Sequence, residues 1–243
     1  MCMVTAKDRA THADSPMLIL AIDTALEACS VALHDVATGE TVARETVPMT
    51  RGHAEALIPL VERLMNESGR EFNDIDAFAV TVGPGSFTGL RVGLSAARGF
   101  GLATGKPVIG VSTLATLAAP LLAIDDNIPV VASIDARHGN LYIQMFGPGG
   151  RILITPRCMA VKDAVRAAAI GPARLTGSGS PMLAEGWPPG ERPPLEIFPT
   201  ATPDPVWLAR LASVADPARS EPKPLYLKEA DAKPQTAGRI ARK

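Results

Sequence analysis

Three short runs rich in apolar and β-branched residues, Leu18 to Ala25, Cys29 to Asp35 and Glu40 to Val47, stand near the start of the chain, parted by brief breaks such as Ala37-Thr38-Gly39. Runs of this length with turn residues between them predict three strands in a meander. The periodicity then changes. The pattern predicts a helix over Gly52 to Ser68, a strand over Ile75 to Val82, a Gly-rich loop, a helix over Phe87 to Ala103 and a strand over Val108 to Val111.

That order, β-β-β-α-β-α-β, is the plan of a ribonuclease-H-like lobe. After a helix expected near Thr113 to Ala123 the pattern partly restarts. Pro129 to Ile134, Leu141 to Phe146 and Arg151 to Thr155 read as three more strands, and Val161 to Ile170 as a helix. The segment from Gly186 to Pro205 is Pro-rich and reads as extended connection rather than core, followed by a helix over Pro205 to Val214 that returns to the first lobe. The expected organisation is a leader over 1–16, a first lobe from 17–112 plus 204–230, a smaller second lobe over 113–203, and a tail over 231–243, with both termini disordered.

Composition narrows the function classes. A chain of 243 residues with 47% apolar and 20% charged residues can bury the cores of two lobes. A net charge of -1 supplies no chain-wide attraction for phosphate backbones, so autonomous nucleic-acid binding is not indicated. Cys2, Cys29 and Cys158 are odd in number and widely spaced, which fits a reducing cytosol rather than a disulfide framework. The most apolar stretch, Leu90 to Ala103, carries Arg91 and Arg98 and is too short to cross a bilayer. The first sixteen residues lack the apolar core of a secretory signal, and Met17 could serve as a second start.

The densest motif is Val82-Gly83-Pro84-Gly85-Ser86-Phe87-Thr88-Gly89-Leu90-Arg91-Val92-Gly93, between a strand and a helix. Such a loop can turn N–H groups and a helix dipole toward an anion, with Ser86 or Thr88 as N-cap. Gly83, Gly85, Ser86 and Thr88, with Asp23 and Thr24 at the end of the first strand, are therefore the candidate anion or nucleotide contacts. The motif is neither a P-loop, because Leu90 and Arg91 follow Gly89 where Lys and a hydroxyl are needed, nor the dinucleotide fingerprint, whose spacing is one residue shorter. A tight turn whose glycines admit close backbone packing is the competing use.

Two helices carry more apolar or small surface than one contact needs. Gly89, Gly93, Ala97 and Gly101 recur every four residues and form one ridge of small side chains, for packing inside the lobe or against a partner. In the preceding helix Ala54, Leu57, Ile58, Leu60, Val61, Leu64 and Met65 cover a wide arc, which suggests a second surface to bury or a thick core.

With these residues in view, the chain resembles the TsaB (YeaZ) family. The Gly83 to Gly93 motif carries the resemblance, supported by Ile19-Leu20-Ala21-Ile22-Asp23-Thr24-Ala25, Gly52-His53-Ala54-Glu55, Ser133-Ile134-Asp135-Ala136-Arg137 and Pro224-Leu225-Tyr226-Leu227. The resemblance implies an α/β, two-lobed fold of the actin-like ATPase/Hsp70 superfamily. It also implies a cytoplasmic, non-catalytic subunit that partners the transferase TsaD and the ATPase TsaE. In that system TsaD moves threonylcarbamoyl from its adenylate to N6 of the adenosine beside the anticodon. Contact with tRNA would come only through the complex, and no membrane is involved. Pairing with TsaD, or homodimerisation when alone, is implied through first-lobe helices, which by motif position places His53, Leu57, Leu60, Val61, Leu64, Gly89, Gly93, Ala97 and Gly101 at the interface. No intrinsic cofactor is expected, and ATP or ADP would sit at an interface composed with the partners.

The rival expectation is a small nucleotide-dependent phosphotransferase or ATPase using Asp23, Ser86 and Thr88. Against it, no glycine follows Asp23 to form the phosphate turn of kinases in that superfamily; Ala25-Leu26-Glu27 comes instead. Related catalytic subunits look like metal proteins with two histidines one helical turn apart, whereas His53 is followed at that spacing by Leu57, and His12, His34 and His138 form no ligand cluster by spacing. Asp135-Ala136-Arg137 reads as an ion pair or turn. Neither G-x-S-x-G nor H-E-x-x-H occurs, so no peptidase nucleophile or metal motif is present and no catalytic residue is assigned.

Overall fold

The computed structural model describes residues 18–228; the leader expected over 1–16 and the tail expected over 231–243, with Cys2 and His12, lie outside them. β1 (Leu18–Asp23), β2 (Ala28–Asp35) and β3 (Thr41–Pro48) form an antiparallel meander. β4 (Ala77–Gly83) and β5 (Val108–Ser112) add in parallel on the other side of β1, giving the order β3-β2-β1-β4-β5. The crossovers are α1 (His53–Ser68) and α2 (Phe87–Thr104). β1 is buried on both faces, which is why it reads as an unbroken apolar run. Its alternate residues serve different layers: Leu18, Leu20 and Ile22 join the core beneath α1 and α2, and Ile19 and Ala21 point the other way.

α3 (Thr113–Ile124) leads into a second sheet. There β6 (Val130–Asp135), β7 (Asn140–Phe146) and β8 (Ile152–Ala160) repeat the antiparallel meander. α4 (Val161–Ala168), β9 (Arg174–Thr176), α5 (Ser180–Glu185), β10 (Glu196–Phe198) and α6 (Pro205–Ser213) complete the chain's elements. Read from one edge the second sheet runs β8-β7-β6-β9-β10, so its order repeats that of the first, strand for strand. Two mixed five-stranded sheets flanked by helices, each built on this plan, constitute the actin-like ATPase, ribonuclease-H-like fold.

The terminal helix of each repeat is exchanged. α3 follows the first repeat yet packs Leu114, Leu117 and Leu121 against Val130, Ala132 and Ile134 of the second sheet. α6 follows the second repeat yet packs Leu208, Ala209 and Ala212 against Ile19, Ala21, Ala79 and Ile109 of the first. Each lobe therefore owes part of its core to the other half of the chain.

The Pro-rich segment corrects one expectation. It contributes β10, parallel to β9, and Phe198 packs against the core beneath α3 rather than lying on a mere connection. β9 and α5 went unread because segments of 3 and 6 residues are too short to show a period. β8 extends through Pro156 to Ala160, which an edge strand tolerates because one side of its backbone has no partner to feed. Among the described residues no helix is long and apolar enough to cross a membrane.

If α6 completes the first lobe's core, Leu208→Ala should leave a cavity at a site that is 0% exposed. The expected loss is about 2 to 4 kcal/mol in urea unfolding, although the residue lies beyond the second lobe in sequence. A loss below about 1 kcal/mol would mean that the site relaxes as an exposed position does.

Candidate functional site

The Gly-rich loop is knotted to the turn after β1. Ser86 N–H donates to the Ala25 carbonyl at 2.7 Å, and the Thr24 hydroxyl donates to the Gly89 carbonyl at 2.7 Å. A Cβ on Gly85 would overlap Ala25 O, and one on Gly89 would overlap Thr24 O. Gly83, at φ 115°, passes the Leu225 carbonyl, which a Cβ would approach to 2.8 Å. Ser86 caps α2 by accepting from Gly89 N–H at 3.2 Å. Thus Thr24, Gly83, Gly85 and Ser86, expected as anion contacts, are turned on the protein's own backbone. Thr88 is exposed on the outer side of α2. The glycines admit a neighbouring chain segment, and two amides that an anion would need, those of Ser86 and Gly89, already have acceptors.

The small-residue ridge of α2 faces inward too. Gly93 leaves room for Thr24 Oγ1 and Val80, Ala97 is fully buried, and Gly101 leaves room for Val108. In α1, Leu57, Leu60, Val61 and Leu64 are at most 2% exposed and belong to the first-lobe core. His53 is buried at the helix start, with Nε2 3.1 Å from the Leu26 carbonyl. The residues that the family resemblance placed at a partner interface are thus packed within the first lobe.

The surface they support is a groove of about 480 Å³ between α1 and α2, lined by Ala54, Ile58, Phe87, Thr88, Arg91 and Val92 among others. Ile58 is 52% exposed and Phe87 45%. The Arg91 guanidinium lies 3.8 Å from the Phe87 ring centroid, and Phe87 and Tyr226 rings stand 5.3 Å apart. Arg91 Nε also donates to the Tyr226 hydroxyl at 3.3 Å. In the sequence these residues stand only within separate segments, Ile58 in the apolar arc of α1, Phe87, Thr88 and Arg91 in the Gly-rich motif and Tyr226 in Pro224-Leu225-Tyr226-Leu227, and not as one surface. For Ile58 the signal was present in the over-wide apolar arc of α1, and for Phe87 and Arg91 in their i, i+4 spacing. Tyr226 arrives from 135 positions away, so no local period could join it to the other residues of this surface.

Between the lobes a second depression of about 780 Å³ is bordered by Leu26, Glu27, His53, Ser86, Arg137 and Tyr226. Glu27 and Arg137 approach to 3.6 Å across it. Asp135 accepts from Arg137 N–H at 2.8 Å through Oδ1, the local turn contact that Asp135-Ala136-Arg137 suggested. Arg137 and His138 both have positive φ, 64° and 53°, in the β6–β7 turn, a conformation that non-glycine residues adopt at a cost.

Asp23 is the one strongly perturbed carboxyl beside the knot. It is 0% exposed, and its Oδ1 accepts from Thr81 Oγ1 at 2.6 Å and from Ala25 N–H at 3.2 Å. Burial pushes its pKa from the usual 3.8 to about 6, against the hydrogen bonds from Thr81 and Ala25 and the nearby His53. The folded protein thus holds this proton where the unfolded chain has already released it. Stability is lost as pH rises from the usual 3.8 toward about 6, with the full cost carried above that. Asp23→Asn keeps the oxygen that Thr81 and Ala25 need and removes the charge. Relative to wild type, its unfolding free energy should rise across that pH window by on the order of 3 kcal/mol, then level off. Urea unfolding of both proteins at several pH values measures this, and a difference that stays flat with pH would overturn it.

The family model for the tRNA N6-adenosine threonylcarbamoyltransferase TsaD matches residues 44–191, more than half of the chain. The tRNA threonylcarbamoyladenosine biosynthesis protein TsaB of Escherichia coli is 45% identical over 126 residues, which cover 52% of this chain and 53% of that protein. The chain thus spans about half the length of such curated relatives, as it does for TsaB of Haemophilus influenzae. An uncharacterized Mycobacterium tuberculosis protein is 36% identical over 89% of this chain and 94% of its own. By contrast, a threonylcarbamoyltransferase of Erythrobacter litoralis matches only 26% of this chain and 19% of itself. Among solved structures, YeaZ from Pseudomonas aeruginosa superposes with a TM-score of 0.72 and 28% identity, covering 87% of this chain and all of that one. Shared across both lobes with YeaZ and at the sequence level with TsaB, this architecture makes the chain a member of the TsaB (YeaZ) family.

Proposed function

We propose that this protein is a non-catalytic subunit of the machinery that makes N6-threonylcarbamoyladenosine in tRNA, and that it docks on the transferase TsaD through the outer face of α1 and α2. The observation that carries the reading is the groove between those helices, where Ile58 and Phe87 are half exposed beside an arginine held against an aromatic ring. A cluster of exposed apolar and aromatic residues with an Arg at its centre has the composition of an interface core. The name borne by the E. coli and H. influenzae relatives supports the pathway.

The same face would serve a homodimer when the partner is absent. TsaE would join the complex in the cytoplasm, and tRNA would be met only there. A nucleotide, ATP or ADP, would lie at a surface composed with those partners. The rival reading, a phosphotransferase acting through Asp23, Ser86 and Thr88, is disfavoured because the first two are engaged within the lobe and the third faces away on the outer side of α2. Leu57, where a second helix-borne histidine would stand in a metal site, is a core residue.

The test is reconstitution of tRNA threonylcarbamoylation with purified partners, with and without this chain and with Ile58→Glu or Phe87→Glu. Both positions are exposed, so each variant should keep its circular dichroism and melting behaviour. Placing a charge in the interface core should weaken binding to the transferase by about a hundredfold, some 2.7 kcal/mol, with product formation falling in step. Full activity of the variants, dispensability of the chain, or transfer activity by the chain alone would each overturn the reading.

A further inference from the structure

A third depression shares no lining residue with the helix groove or with the cleft beside the Gly-rich loop. It has a volume of about 540 Å³ and lies where both lobes and the connection to α6 meet. β3 contributes Arg44 and Thr46, α3 contributes Leu117 and Leu121, and β9 and β10 contribute Thr176 and Phe198. Thr200 and Asp204 close it from the segment that enters α6. Its size falls in the range of small-molecule sites, and its pattern of apolar walls with a few polar groups is theirs as well.

The polar groups define the ligand's chemistry. Arg44 Nη1 and Asp204 Oδ2 stand 3.9 Å apart, with side chains 66% and 40% exposed. Such a pair contributes little by itself and is readily parted by a ligand. Asp204 is fixed, because its Oδ1 caps α6 by accepting from Val206 N–H at 2.9 Å. The hydroxyls of Thr46, Thr176 and Thr200 make no hydrogen bond among the described residues, although Thr176 is only 2% exposed. The neighbouring Arg174 is not available to a ligand: its guanidinium is held by Glu196 at 2.7 Å and by the Leu121 carbonyl at 3.2 Å.

One cation and one anion side by side select against simple ions. A phosphate dianion would meet Asp204, and an amine would meet Arg44. A zwitterion whose carboxylate and ammonium are joined through a single carbon satisfies both, the threonine hydroxyls take its remaining hydrogen-bonding capacity, and Leu117, Leu121 and Phe198 receive an apolar side chain. We propose that this interlobe cavity binds a free α-amino acid with an apolar side chain, its carboxylate on Arg44 and its ammonium on Asp204. Occupancy would tie β3 to the segment leading into α6 and hold the two lobes together, independently of any docking on α1 and α2.

The test is isothermal titration of the purified full chain with L-valine, L-leucine and L-methionine, alongside thermal melting. The control ligands are leucinamide, which lacks the carboxylate, 4-methylpentanoate, which lacks the ammonium, and inorganic phosphate. At least one amino acid should bind and raise the melting temperature with concentration. Both truncated analogues should bind at least about tenfold more weakly, as should the amino acid to Arg44→Gln and to Asp204→Asn. The asparagine keeps the oxygen that caps α6, so weakened binding would not reflect a lost helix start. No heat from any of the three amino acids up to about 10 mM, equal binding of 4-methylpentanoate or phosphate, or indifference to both substitutions would overturn the proposal.

Discussion

The contact on which the first lobe depends is between two stretches of backbone: the turn Thr24–Ala25 after β1 and the Gly85–Gly93 entry into α2. Carbonyl oxygens of the turn occupy the places where side chains of residues 85 and 89 would stand, and Thr24 reaches over the helix start to bond Gly89. Backbone approach this close is open only to glycine. The cost of glycine in a helix, roughly 1 kcal/mol each relative to alanine, is offset by seating α2 deeply on β1 and β4. That seating brings Ser86 to its capping position and, one residue later, presents Phe87 on the outer surface. A loop with the look of an anion cradle is thereby used as a joint. Asp23, just before the turn, is fully buried behind it, and burial rather than a charged partner sets its proton affinity.

A second dependence is topological. Each sheet carries the same strand order, but the helix ending each repeat covers the other repeat's sheet. Neither half can bury its own sheet on both faces, since β1 and β6 would each expose a row of apolar residues. The exchange makes the two lobes one folding problem and places segment 198–205 in a strategic position. That segment completes the second sheet with β10, then crosses to the first lobe to start α6. The threonine-lined cavity lies along this crossing, so a molecule bound there would touch one of the two connections between the lobes, the other being the passage from β5 into α3.

Much of this architecture was legible in the sequence, and the illegible parts share a physical reason. Period-two and period-3.6 patterns located β1 to β7 and α1 to α3 within a few residues, because those elements bury continuous faces. β9 and β10, three residues each, are held by neighbours on the sheet and not by any pattern of their own. The ridge Gly89-Gly93-Ala97-Gly101 announced a close approach without naming what approaches, and the structure gives that place to Thr24, Val80 and Val108. Likewise the apolar arc of α1 was wide enough for two surfaces, yet Leu57 and Leu60 serve the core and Ile58, between them in sequence, serves the outside. An amphipathic pattern reports that a face is buried, not against what. The Phe87–Arg91–Tyr226 arrangement depends on residues far apart in the chain, where no local period exists.

The joint and the outer groove are consequences of one another. Phe87 follows the residue that caps α2, and Arg91 is one turn further along, so their positions are fixed by the same glycines that admit the Thr24 turn. The segment carrying Tyr226 is tied to the lobe by the Leu225 N–H bond to Val82 at 2.7 Å and by Arg98 bonding the Pro222 carbonyl. Gly110 and Gly83 provide the notches through which it passes. Arginine stacked on one ring and bonded to the hydroxyl of another has lost much of its freedom before any partner arrives. Ordering such side chains is a main cost of association, about 0.5 to 1.5 kcal/mol for each one immobilised. A surface whose exposed side chains are already held by the core beneath them would offer binding energy with little of that cost, which is what the proposed docking role requires. In the proposed docking the buried leucines and glycines of α1 and α2 would matter indirectly, by holding Ile58, Phe87 and Arg91 on the outer surface.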